Sequence, residues 1–326
     1  MLRLPSFRLL LPQTLEELMK YLEEYPDASI LAGGTDSLPA WKRGEKKVSV
    51  VIALSRISEL KGSYRDEAGA YHLGPLVTLS EIAQMPQLHF ATAVRISAGS
   101  VASPAIRNMA TLGGNLCQDT RCLFYNEGNM WREAVGNCKK TVSEICRVAP
   151  GGNRCWATYH GDLAPALMVF HTEILLSSPS GSRRIPLAQL YRDDGIFPFT
   201  LKKGEIITDI VFPGDNSLKT TYVKLRPREE IDFPEVGVAV AVKISAQNCF
   251  EVARLAFTGV ACTPVRVYPA EEFLTGKPVE ERILRETAEI VQQNLHPMAT
   301  SYFTPLYKKK MAGVLTFQAL RQLCFS

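Results

Sequence analysis

The sequence predicts an α+β protein built in two units, and three observations predict it. Short apolar runs of strand character alternate with short capped helices through the first two thirds of the chain. Three strand patterns in succession, then two long helical patterns, fill the last third. A cysteine-rich stretch with little periodicity interrupts the first unit, from Cys117 to Cys155.

The elements follow in order. Thr14 and Glu17 form a capping-box pair, and Leu15, Leu18, Met19, Leu22 and Tyr25 follow at helical spacing until Pro26 stops the helix. Ser29–Ala32 reads as a strand that breaks at Gly33-Gly34-Thr35-Asp36, and Val48–Leu54 as a second strand. A new unit starts near residue 60, with a strand at Tyr71–Leu73, a helix opened by the Thr78/Glu81 pair, and a helix over Ala91–Ala98. After the cysteine-rich stretch, Asp162–Val169 is helical and Thr172–Leu176 is a strand. A boundary at Pro213–Lys219 precedes strands at Thr221–Leu225, Val236–Ile244 and Val252–Val260, then helices over Val279–Leu295 and Pro305–Leu323. The expected domains are 1–216, with subdomains at 1–57 and 58–216 and an insertion at 117–158, and 217–326.

Composition narrows the function. Hydrophobic residues at 46% and charged residues at 21% are ordinary for a globular chain of 326 residues. The net charge of +4 is thinly spread, which argues against nucleic acid. The apolar run in MLRLPSFRLLLP is too short for a secretory signal, and no stretch reaches the ~18 apolar residues of a membrane span. The expectation is a cytoplasmic protein with no membrane partner. In a reducing compartment, eight cysteines, five of them clustered, point to metal or redox chemistry before disulfides. The five histidines are scattered, and no general acid–base pair or nucleophile triad is evident, so no catalytic residue is assigned.

Two glycine turns, Ala32–Asp36 and Thr111–Asn115, carry the binding signal. A Gly-Gly step after a strand lets backbone amides approach a ligand without a Cβ in the way, and consecutive amides make an anion-binding concavity. Neither turn matches the GxGxxG or GxxxxGK[ST] patterns. On local sequence alone, Asp162 reads as a helix N-cap and Lys224 as a strand lysine.

Five motifs in order, LAGGTDSL, GPLVTLSEI, SPAIRNMATLGGNL, GDLAPAL and YVKLRPREEIDFPEVGVAVAV, resemble the FAD-binding subunits of the molybdenum hydroxylases, the family of xanthine and carbon monoxide dehydrogenases. The resemblance runs nearly the whole chain. It implies a two-subdomain FAD-binding domain of the PCMH/vanillyl-alcohol-oxidase-like type and a C-terminal sheet-and-helix domain. It implies that backbone amides of Ala32, Gly33, Gly34, Thr35 and Asp36 hold the FAD pyrophosphate, that Ile30 and Leu31 belong to the same cofactor site, and that Thr111, Gly114 and Asn115 contact the pyrophosphate from the second turn. Asp162 would bond the adenosine half, and Lys224 would lie near the isoalloxazine, where its charge favours the anionic reduced flavin.

The cysteine spacing, C-x4-C-x15-C-x7-C-x8-C, contains no CxxC pair and suits zinc or an iron–sulfur cluster equally. An insertion of roughly forty residues needs its own stabilisation, which a metal centre would supply. Here too a resemblance decides: the stretch is similar to the insertion in 4-hydroxybenzoyl-CoA reductase β subunits. That implies a [4Fe–4S] cluster on Cys122, Cys138, Cys146 and Cys155, with Cys117 a packed free thiol. Cys249, Cys262 and Cys324 read as buried structural cysteines.

The resemblance further implies a molybdopterin-binding large subunit, a [2Fe–2S] small subunit and reduced ferredoxin as donor, in a dimer of heterotrimers. Two other functions stand beside it: the FAD subunit of an oxidative molybdenum hydroxylase, and a flavin-free module stapled by zinc.

Overall fold

The computed structural model describes residues 3–325, and the α+β expectation holds. Three sheets organise it. The first is parallel, with strands β1 (Arg8–Leu10), β2 (Ser29–Leu31) and β3 (Val50–Ala53) in the order β1-β3-β2. Helix Leu15–Glu24 covers it, burying Leu18 and Leu22. The Thr14 hydroxyl accepts from the Glu17 amide at 3.1 Å, but the Glu17 carboxylate returns to the Gln13 amide at 2.7 Å. The Thr78/Glu81 pair closes both arms of its box.

The second sheet joins β4 (Ser63–Arg65), β5 (Ala70–Leu73), β6 (Glu173–Ser178), β7 (Gly181–Pro186) and β8 (Ile206–Pro213) in the order β4-β5-β8-β6-β7. The third is antiparallel: β9 (Lys219–Leu225), β10 (Val236–Ile244), β11 (Phe250–Thr258) and β12 (Val265–Arg266), in the order β12-β11-β10-β9.

Strand β10 is buried on both faces, and its period of two separates two cores. Val236, Val238, Val240 and Val242 pack with helices Glu281–Asn294 and Pro305–Phe325, whereas Ala239 and Ala241 face the core of the second sheet. Each buried valine contributes about 1.5–3 kcal/mol, and the alanines let the first unit approach closely. On the alanine side, Tyr222 pairs with Ala239 and Lys224 with Gly237 across the ladder, which aims both β9 side chains at the first unit. A Cβ on Gly237 would lie 2.3 Å from the Tyr222 hydroxyl, so glycine there makes room for that ring.

Among the described residues, no helix is long and apolar enough to cross a membrane. Cys262 is buried as expected, but Cys249 and Cys324 are only half-buried. Cys249 follows the β10–β11 turn, where its amide donates to the Ser245 hydroxyl at 3.2 Å.

Candidate functional site

The first glycine turn leaves the carboxyl end of parallel strand β2, the position at which open α/β sheets bind ligands. It abuts the second turn. A Cβ on Gly33 would fall 1.8 Å from the Met109 carbonyl oxygen, so Gly33 is where the two backbones touch. Gly34 has φ +72°, which a side chain rarely tolerates.

Between the turns runs a cavity of about 300 Å³. Its walls include Ile30, Ala32, Gly33, Gly34, Thr35, Asp36, Thr111, Gly114, Asn115 and Asp162. Leu31 points elsewhere, packing beside Trp41, Val48 and Val51. Part of the wall is apolar, from Leu54, Leu76, Ile206 and Ile207. Asp162, Cys117, Gln118 and Phe233 also line it. The Thr111 hydroxyl accepts from the Gly114 amide at 3.2 Å, and Asn115 Oδ1 accepts from the Leu163 amide at 3.1 Å, so both side chains also brace the local backbone.

Asn115 thereby satisfies the start of helix Leu163–Met168, and Asp162 makes no capping bond. Asp162 Oδ1 instead accepts from the Tyr222 hydroxyl and from Lys224 Nζ, both at 2.9 Å. The Asp162 and Lys224 side chains are only 3% and 4% exposed. Burial, reinforced by the neighbouring carboxylate, holds the Tyr222 phenol well above its usual range. Asp162 and Lys224, which the resemblance sets toward different halves of the dinucleotide, bond each other in this structure.

Cys122, Cys138, Cys146 and Cys155 line a second, much smaller cavity of about 10 Å³, with Tyr125, Lys140 and Ala157. Cys117 lies in the large cavity's wall instead. The loop is pinned by the buried Arg132, which donates to the Tyr125 carbonyl at 2.8 Å, and by Arg147, which donates to the Gly136 and Asn137 carbonyls at 2.7 Å. Burial pushes the Cys122 thiol up to about 12, and Cys155, Cys138 and Cys146 add to the shift. Among the described residues, no group of three or more His, Cys, Asp and Glu side chains that could hold a metal ion is found.

Sequence reasoning missed Arg121 and Phe233. Arg121 Nη2 bonds Asp36 Oδ1, and the guanidinium lies 4.0 Å over the Phe233 ring. A third, open cavity touches Arg121, Cys122 and Phe233, so it adjoins both of the others. His160 is a satisfied structural histidine: its Nδ1 bonds the Pro234 carbonyl at 2.7 Å, and burial pushes its pKa down to about 3.

Comparison with known proteins agrees with this architecture. Residues 5–215 match the family described as the FAD binding domain in molybdopterin dehydrogenase, and residues 221–323 match the CO dehydrogenase flavoprotein C-terminal domain. The glyceraldehyde dehydrogenase medium chain of Sulfolobus acidocaldarius is 24% identical, over 98% of this chain and 99% of its own. The aldehyde oxidoreductase FAD-binding subunit of Escherichia coli is 28% identical, over 90% and 92%. Quinoline 2-oxidoreductase from Pseudomonas putida 86 shares the fold, with a TM-score of 0.81 at 19% identity over 99% of this chain and 98% of that one. Turns, cavity and matches agree: the chain belongs to the FAD-binding subunits of the molybdenum hydroxylase family, of the CO and xanthine dehydrogenase medium-chain type.

Proposed function

We propose that the chain is the FAD- and [4Fe–4S]-carrying electron-transfer subunit of a molybdenum enzyme related to 4-hydroxybenzoyl-CoA reductase. The observation that carries this reading is the gathering of Cys122, Cys138, Cys146 and Cys155 on one small cavity, with Cys117 left out of it. Family membership removes the flavin-free, zinc-stapled module.

In this reading residues 1–216 form the FAD-binding domain and 217–326 the C-terminal domain. Backbone amides of Ala32–Asp36 hold the diphosphate, and Ile30 and its apolar neighbours take the adenosine end. Asp162, Tyr222 and Lys224 form a fixed charged network at the ring end, where Lys224 opposes negative charge on the cofactor. The four cysteines hold the cluster, and Lys140 stands beside them as a buried positive charge. Electron exchange itself is supplied by the bound cofactors. Substrate sits on a molybdopterin-binding large subunit, reached through a [2Fe–2S] small subunit, in a cytoplasmic dimer of heterotrimers with reduced ferredoxin as donor.

One observation favours the alternative of an oxidative enzyme: the relatives named above are a dehydrogenase and an aldehyde oxidoreductase. The assembled complex decides between them. Reduced ferredoxin should reduce the flavin quickly in the wild type and slowly after Cys146→Ser. Equal rates would reduce the insertion to a structural element and leave the oxidative reading.

A further inference from the structure

We propose that Arg121, supplied by the neck of the cysteine insertion, is a positioning residue of the flavin site. It neutralises Asp36, and so lets a carboxylate stand in the turn that receives the cofactor's diphosphate. The inference rests on reading the large cavity as the FAD site.

Asp36 lines that cavity and sits at the start of helix Ser37–Lys42, yet its side chain makes no capping bond. An unpaired carboxylate there would repel a diphosphate at short range. Arg121 Nη2 bonds Asp36 Oδ1 across 85 residues of sequence. Arg43 also feels the field of Asp36, but its Nε is committed to Glu45 at 2.5 Å.

Arg121 is held for this task from two sides. Its amide and carbonyl pair with those of Thr158, both at 2.8 Å, closing the neck of the insertion. Its guanidinium rests on Phe233, a residue of the loop between β9 and β10. Its buried Nε has no hydrogen-bond partner, so the guanidinium is not anchored to a competing acceptor through that atom. Cys122 follows directly, so the residue that corrects the charge of the flavin turn is bonded to the first residue of the four-cysteine set. The insertion thus completes the flavin site electrostatically as well as carrying its own cysteines.

The test is FAD titration of the flavin-depleted full chain, followed by fluorescence, with thermal melting in parallel. Arg121→Gln should weaken FAD binding about tenfold, the scale of one uncompensated charge a few ångströms from an ionic ligand group. Arg121→Lys, which keeps the charge, should stay within about threefold of wild type. Asp36→Asn added to Arg121→Gln should restore most of the loss, because no charge is then left to neutralise; a merely structural role for Arg121 gives no such rescue. Wild-type binding by Arg121→Gln, or a loss that Asp36→Asn does not relieve, overturns the proposal. Should Arg121→Gln not fold, Asp36→Asn alone carries the test: it should bind FAD at least as tightly as wild type, and weaker binding overturns the proposal. A wild-type chain that fails to bind FAD removes the site reading as well, a result visible before any variant is made.

Discussion

Gly33→Ala is the sharpest perturbation of the cofactor site. The added methyl would lie 1.8 Å from the Met109 carbonyl oxygen, 2.8 Å from its carbon and 3.2 Å from Ala110 Cα. Ordinary contact begins at 3.4 Å, so one turn must retreat by about 1.6 Å. All three obstructing atoms are backbone, and no rotamer change can relieve the clash. Overpacking of this kind costs about 1–3 kcal/mol when the structure yields. The two turns line one cavity, so a shift between them should also weaken FAD binding by about ten- to a hundredfold. Residue 33 acts by holding the two turns together more than by clearing space for phosphate, which revises the reason the bare Gly-Gly motif suggests. Flavin retained per chain and melting temperature give the assay, with Gly151→Ala as control, since a Cβ at Gly151 meets nothing within 4 Å. Gly33→Ala with wild-type flavin content and melting temperature would refute the reasoning.

Three other outcomes are expected. Serine at Cys122, Cys138, Cys146 or Cys155 should deplete iron and largely spare flavin, whereas Cys117→Ser should leave iron unchanged; elemental analysis with flavin absorbance checks both. Lys224→Met strands the buried Asp162 carboxylate and should cost about 3–5 kcal/mol, read by denaturant unfolding. His160 stays neutral in the fold with its pKa near 3, against 6.5 for the free group. Below about pH 6.5 the unfolded chain takes up a proton that the folded chain refuses, so this contribution is complete above that pH and falls away toward pH 3. The pH dependence of unfolding should therefore be shallower in His160→Gln over that window.

Local chemistry was legible where a single element carries it. The VGVAVAV run announces a strand, and β10 is that strand; that it lies between two cores is seen only in the fold. The Thr78/Glu81 pair announces a helix start and forms its full box. Strand β8, central in the second sheet, escaped because its IITDIVF pattern does not alternate, and its pairing with β6 shifts register between Leu175 and Leu176. The glycine turns were legible as a ligand site because backbone geometry is written in glycine. Relations across the fold were not. Asp162 and Lys224 stand 62 residues apart, and only the packing of β9 against the first unit shows that they share one charge network. Arg121 is likewise an ordinary arginine until the fold sets it on Asp36. The cysteines were legible as a set, but their spacing left zinc and iron–sulfur open, and that Cys122, Cys138, Cys146 and Cys155 meet on one cavity without Cys117 is a property of the folded loop.

Whether one chain carries both a flavin and an iron–sulfur cluster is measured directly by cofactor analysis of anaerobically purified protein. FAD, iron, zinc and acid-labile sulfide are quantified per chain, with the ultraviolet–visible spectrum. One FAD, about four iron atoms with matching sulfide, and no stoichiometric zinc are expected. One zinc and no sulfide, or iron that persists when all four loop cysteines are replaced by serine, would contradict it.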